Sequence, residues 1–176
     1  MNDRVLVVYA SQYGATAEIA EKIGEALRQA GLNADVLSAD SGCDPGSYGA
    51  VVLGSAVYIG RWRKEASRFL SANEKLLTGR PVWLFSTGPT GDGKAEELLQ
   101  GWRFPGALKP VADRIQPRGI TVFHGYLNNE KLNFIEKWMI KKVKAPVGDF
   151  RDWDAISRWA RSIADALKIP EAPNET

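Results

Sequence analysis

Short apolar runs alternate along the chain with longer stretches in which apolar residues recur at every third or fourth position. Val5, Leu6, Val7, Val8 and Tyr9 form a β-branched and aromatic run that predicts a strand buried on both faces. Behind it, Thr16 precedes Ile19, Ala20, Ile23, Ala26, Leu27 and Ala30, the spacing of an amphipathic helix, and Gly31 supplies a stop. The alternation returns with strands over residues 34–37 and 50–54, a helix that sets Ala66, Phe69, Leu70 and Leu77 on one face, and strands over 81–87 and 120–127. A last helix is predicted over 152–168, with Ile156, Trp159, Ala160 and Ile163 on one side. Asp152 reads as its cap, the alternative being a site built from Arg151, Asp152 and Trp153. Residues 88–106 are rich in Gly, Pro and Thr and read mainly as a loop with a short helix over 94–100. Parallel neighbours need crossover helices, so the expected class is α/β: one doubly wound domain over residues 1–168, with a disordered tail over 169–176.

Composition narrows the function more than the fold. Lysine and arginine number 23 against 21 aspartates and glutamates, a net charge of +2, so charge selects no partner and no nucleic acid is expected. The longest apolar run, residues 5–10, is far short of the roughly 20 residues that span a bilayer. No basic, apolar leader precedes it, and the single cysteine, Cys43, has no intrachain partner, so a reducing cytoplasmic setting is the default. One cysteine and one histidine, His124, leave no zinc cluster and no Cys/His catalytic pair, and no metal site is expected.

In a doubly wound sheet, ligands sit outside the carboxyl ends of the strands, so the loops that follow strands carry the candidate chemistry. Ser11, Gln12, Tyr13, Gly14, Ala15 and Thr16 join a strand to a helix start and offer hydroxyls, a flexible glycine and backbone N–H groups suited to a phosphate. The alternative is a simple helix cap by Thr16. A second loop, Ser55, Ala56, Val57, Tyr58, Ile59, Gly60, Arg61 and Trp62, combines small residues with aromatics that could hold a flat ring, or else Tyr58 and Trp62 cap the core. The third, Ser86, Thr87, Gly88, Pro89, Thr90, Gly91, Asp92 and Gly93, lets backbone approach a ligand closely, or is simply a flexible segment. It also holds most of a P-loop, but Ala95 follows Lys94 where that motif needs a hydroxyl for Mg²⁺, which argues against a nucleoside triphosphate.

Together these loops resemble the three flavin-contacting loops of the flavodoxin-like superfamily. Gly54 through Trp62, Met139-Ile140-Lys141 and Gly148-Asp149-Phe150-Arg151-Asp152-Trp153 are similar to the menaquinone-dependent protoporphyrinogen oxidase (dehydrogenase) family. The resemblance implies a five-stranded parallel sheet of order 2-1-3-4-5 and one non-covalent FMN. It implies a phosphate on Ser11, Gln12, Gly14, Ala15 and Thr16, with Tyr13 contributing its backbone amide where many carrier flavodoxins have a hydroxyl residue. The isoalloxazine would lie between residues 56–60 and 87–93. Carrier flavodoxins tend to be strongly acidic, so this slightly basic chain favours an enzyme or a dedicated partner.

The expected function is therefore an FMN-dependent oxidoreductase, oxidising a protoporphyrinogen-like substrate with a quinone as acceptor. The alternatives are a non-enzymatic FMN electron carrier, working with a small-molecule or protein redox partner, and a flavin-free binding protein. No catalytic side chain is nominated, because a flavin would carry the chemistry. Lys131, Lys137, Lys141, Lys142 and Lys144 share residues 131–144 with one glutamate, and Leu132, Ile135, Trp138, Met139 and Val143 fall at helical spacing. That basic amphipathic stretch would meet a membrane surface or an acidic protein, or simply pack on the domain.

Overall fold

A computed structural model describes residues 2–169. The sheet is built from β1 (Arg4–Ala10), β2 (Asn33–Ser38), β3 (Ala50–Tyr58), β5 (Val82–Thr87) and β6 (Gly119–Phe123), all parallel, in the order β2-β1-β3-β5-β6. A two-residue strand, β4 (Arg61–Trp62), folds back antiparallel on β3. Numbered along the parallel strands alone, the order is 2-1-3-4-5, the flavodoxin-like arrangement.

Alternation along each strand feeds two cores. Val5 and Val7 point to the layer of α1 (Ala15–Gln29) and α7 (Trp153–Lys168), where Ile19, Ile23, Leu27, Ile156 and Ile163 are buried. Leu6 and Val8 point to the opposite layer, where α2 (Lys64–Ala72), α3 (Glu74–Leu77) and α5 (Lys109–Ile115) supply Leu70, Leu77 and Ile115. Burial on both faces is why the central strands read as unbroken apolar runs. The chain leaves β1 for β2 through α1 and then crosses to β3 on the other side of β1, so the strand order reverses between β1 and β3.

Several boundaries differ from the sequence expectation. The helix carrying Ala66, Phe69, Leu70 and Leu77 is interrupted at Asn73, whose side-chain amide donates to Phe69 O at 2.9 Å and competes with the helical ladder. All four residues still share one core. The strand expected over 120–127 ends at Phe123, because the third loop crosses its end: Gly88 N donates to Phe123 O, and Gly125 N to Pro89 O at 2.9 Å. Beyond that crossing, β7 (Tyr126–Leu127) pairs antiparallel with β8 (Gly148–Asp149), outside the main sheet. Between them lies α6 (Phe134–Val143), started by a capping box of Asn133 and Glu136. The short helix α4 (Ala95–Leu98) falls inside its expected span. Asp152 caps α7 by accepting from Ala155 N at 2.9 Å. Of the expected tail, Ile169 is described as the cap residue of α7, and residues 170–176 lie outside the described residues.

Candidate functional site

All parallel strands end on the same side, so the loops after β1, β3, β5 and β6 gather at one edge of the sheet. In β3 and β5, Ala56 stands beside Thr87, and Ala10 of β1 stands beside Ser55 of β3, which brings the three candidate loops to adjacent strand ends. They open onto a cavity of about 340 Å³ beside the reversal of strand order.

The first loop turns on Gly14, which holds a left-handed conformation at φ 93° immediately before α1. Ser11 Oγ accepts from Gly14 N at 2.9 Å and tightens the turn. The alternative of a helix cap by Thr16 is not what forms: Gly14 is the cap residue and no side chain bonds the helix start, while Thr16 is inside the helix and buried. The first intrahelical bond runs from Glu18 N to Gly14 O, so the N–H groups of the opening turn have no partner within the helix. Thr16 Oγ1 instead lies 2.7 Å from Thr87 Oγ1, a buried hydroxyl pair joining the first and third loops.

The second loop is the β3–β4 hairpin, with Ile59 at φ 49° and Gly60 at φ 67°. Two positive φ values suit the twist of a tight hairpin, and the β-branched Ile59 adopts one at a steric cost. Trp62 goes into the core, where Nε1 donates to Ser86 Oγ at 2.8 Å and the ring meets Phe104 edge-on. Tyr58 instead faces the cavity. Its hydroxyl is pushed up to about 12, by burial first and then by nearby Tyr13 and Glu136.

In the third loop, Thr87, Gly88 and Thr90 line the cavity. His124 bridges the loop from β6, with ring nitrogens 2.8 Å from Gly93 O and 3.3 Å from Pro89 O. Thr90 Oγ1 is buried without a hydrogen-bond partner, one of two such side-chain atoms among the described residues. An orphan hydroxyl at a cavity wall is a group waiting for a partner.

Of the sequence candidates, Ser11, Gln12, Tyr13, Ala15, Thr16, Ala56, Val57, Tyr58 and Ile59 also line the cavity. Gly14, Gly60, Pro89, Gly91, Asp92 and Gly93 are not in its wall and shape the turns around it. The sequence reading missed Gly125, Tyr126 and Leu127, and it missed the inward face of α6, where Glu136, Met139, Ile140 and Val143 close one side. The Asn133-to-Glu136 capping-box spacing marks the helix start, but only the structure reveals that Glu136 turns inward. Its Oε1 accepts from Gln12 Nε2 at 2.9 Å, its Oε2 accepts from the Tyr13 hydroxyl, and Arg63 Nη1 donates to Gln12 Oε1 at 2.8 Å. Donors of the first loop thus already converge on a carboxylate. Arg151, 5% exposed at its side chain, ties β8 to the start of α1 through Asp149 and Glu18, under the rings of Tyr126 and Trp153.

Burial pushes the Glu136 carboxyl up, but the bonds from Tyr13, Asn133 N and Gln12 outweigh it and hold it below the usual 4.5. A carboxylate depressed in the folded state contributes its tether fully above about pH 4.5 and loses it as pH falls through the lowered value. Acid titration should therefore release α6 in a step below that pH, read from the Trp138 indole resonance, and Glu136→Gln should remove the step. A step that persists in the variant would assign the release to Asp149, whose carboxyl is also held low, by Arg151.

Among the described residues there is no cluster able to hold a metal ion, and no helix is long and apolar enough to cross a membrane. A family model described as "Flavodoxin domain" matches residues 6–154. The chain is 22% identical to "Protoporphyrinogen IX dehydrogenase [quinone]" of Escherichia coli K12, over 95% of this chain and 98% of that protein. In structure it resembles a flavodoxin from the domain Archaea, with TM-score 0.63 and 15% identity over 94% of this chain and 99% of the other. It also resembles the rubredoxin oxygen:oxidoreductase of Desulfovibrio gigas, with TM-score 0.60 and 18% identity over 94% of this chain but 36% of that one. With the matched region covering the strands of the main sheet and all three cavity loops, the chain belongs to the flavodoxin domain family.

Proposed function

We propose that the cavity holds one FMN and that the protein is an oxidoreductase of the protoporphyrinogen dehydrogenase type, with a quinone as electron acceptor. The observation that carries the flavin reading is the contrast between the cavity's walls. The opening turn of α1, with its unpartnered N–H groups, and the Thr16 hydroxyl lie in one wall; Val57, Met139 and Ile140 lie in another. Two further features fit the group. Gln12 and Tyr13 already hold an anion, the Glu136 carboxylate, and Thr90 Oγ1 is an unpaired hydroxyl available to a polar ring edge. Bound FMN supplies the reversible electron and hydride chemistry that no side chain here provides.

In this reading the first loop binds phosphate through backbone amides and Thr16, and Gln12 and Tyr13 exchange Glu136 for it. Tyr58, un-ionised throughout the physiological range, and Gly88 hold the ring from either side, and α6 shields that face from water. The 22% identical relative supports the choice of substrate and acceptor, and the apolar wall that α6 adds to the cavity suits a lipid-soluble partner.

Titration of the purified protein with FMN and FAD tests the cofactor. FMN should bind the tighter by about tenfold or more, because one phosphate-binding loop follows β1 and no dinucleotide fingerprint supplies a second half for the adenosine. Tighter FAD binding, or none of either, would overturn the flavin reading. Turnover of protoporphyrinogen with a quinone then separates enzyme from carrier: fast electron exchange with a reductase and no such turnover would replace the enzyme by a carrier.

A further inference from the structure

Helix α6 has apolar side chains on two opposite faces, and only one of them belongs to the cavity. At 100° per residue, Met139 and Ile140 point inward with Glu136, while Phe134 and Trp138 point outward. Phe134 is 86% exposed, Ile135 67% and Trp138 57%. Lys137 and Lys141 lie beside Phe134 on that outer face, and Lys142 sets its ammonium 5.0 Å from the Trp138 ring centroid. Lys131 and Lys144 stand exposed at the two ends. The single carboxylate of the helix, Glu136, is turned away onto Tyr13 and Gln12, so the outer face carries cations around an apolar centre with no anion of its own.

We propose that the outer face of α6 docks on an anionic lipid surface, with Phe134 and Trp138 seated at the acyl boundary and the lysines among headgroup phosphates. Charge and composition favour a bilayer over an acidic protein. Protein interfaces are depleted in lysine, whereas a helix with Phe and Trp on one face and lysines flanking them is the pattern of an interfacial helix. The lysine stems lie along the aromatic surface while their heads reach the phosphates. None of the ten residues of α6 is buried, so the face is available without unfolding anything. Docking itself is independent of the flavin. The consequence that rests on the proposed function is that one helix would be both lipid contact and cavity wall, putting the cavity mouth where a lipid-soluble acceptor resides.

The test uses the full chain in flavin-free form and sedimentation with phosphatidylcholine vesicles, with and without phosphatidylglycerol. Binding should require the anionic lipid, fall as salt rises, and protect Trp138 from an aqueous quencher, with Trp138→Phe identifying its signal. Lys137→Glu with Lys141→Glu, and separately Phe134→Ser with Trp138→Ser, should each weaken binding by about tenfold or more. Both variants should melt like the parent and keep its FMN affinity, which separates failure here from failure of the flavin reading. No binding to anionic vesicles, or equal binding by all variants, overturns the proposal. So does loss in the lysine variant alone, which would mark a purely electrostatic contact such as an acidic protein.

Discussion

Gly54→Ala is expected to cost about 3 kcal/mol of stability and lower the melting temperature by about 6–12 °C for a chain of this size. Gly54 lies in β3 opposite Phe85 of β5, and an ideal Cβ on it would fall 2.0 Å from Phe85 Cζ. No real Cβ tolerates that distance, so either the ring or the strand must move. The ring has nowhere to go: Phe85 is fully buried, with the Phe123 ring centroid 5.8 Å away and the Trp159 centroid 6.0 Å away. Moving the strand instead would displace Ser55 and Ala56, which lead directly into the second cavity loop. Thermal melting of Gly54→Ala, alone and with Phe85→Leu, checks the cause, because shortening the ring should recover part of the loss. A Gly54→Ala protein that melts like its parent would mean that β3 and the Phe85 ring do not need this close approach.

The same feature shows what a sequence can and cannot disclose. The apolar runs of β1, β3 and β5 are legible because both their faces are buried, and the three loops are legible because parallel topology places every post-strand segment at one edge. The hairpin at Ile59 and Gly60 is legible only as a loop: Gly60 marks a turn, but Ile is a poor signal for a residue with positive φ, and nothing local announces that Arg61 and Trp62 fold back to pair with β3. Helix α5 lies among Pro105, Pro110 and Pro117, which mask its short periodicity, so the sequence pattern predicts no helix there. The most consequential miss is α6. Its apolar residues fall on two faces, Phe134 and Trp138 against Met139 and Ile140, so periodicity predicts a helix without telling which side covers a cavity. The role of Arg151 is hidden from the sequence for a related reason: its ion pair with Glu18 joins residues 133 positions apart, whereas the cap at Asp152 is local.

Thr16→Ala should weaken FMN by about tenfold to a hundredfold and leave riboflavin nearly unchanged, the loss expected when one hydrogen bond to a charged group is removed. The structure makes the comparison sharper than the position alone would. Thr16 Oγ1 and Thr87 Oγ1 are buried 2.7 Å apart, and each hydroxyl has one proton to give. If Thr87 donates to Thr16, the Thr16 proton is free for a phosphate held by the opening turn of α1; in the reverse arrangement it is spent on Thr87. An anion in the cavity selects the first arrangement. Alanine at position 16 also strands the Thr87 hydroxyl, but that penalty falls on the free protein and on both flavin complexes alike, so it cancels from the FMN-to-riboflavin ratio. Thr87→Val should then cost FMN less than Thr16→Ala, because it removes only the partner that orients the donor. Measured by fluorescence titration of both flavins into each variant, equal losses for FMN and riboflavin would assign Thr16 to joining the two loops and remove it from the phosphate site.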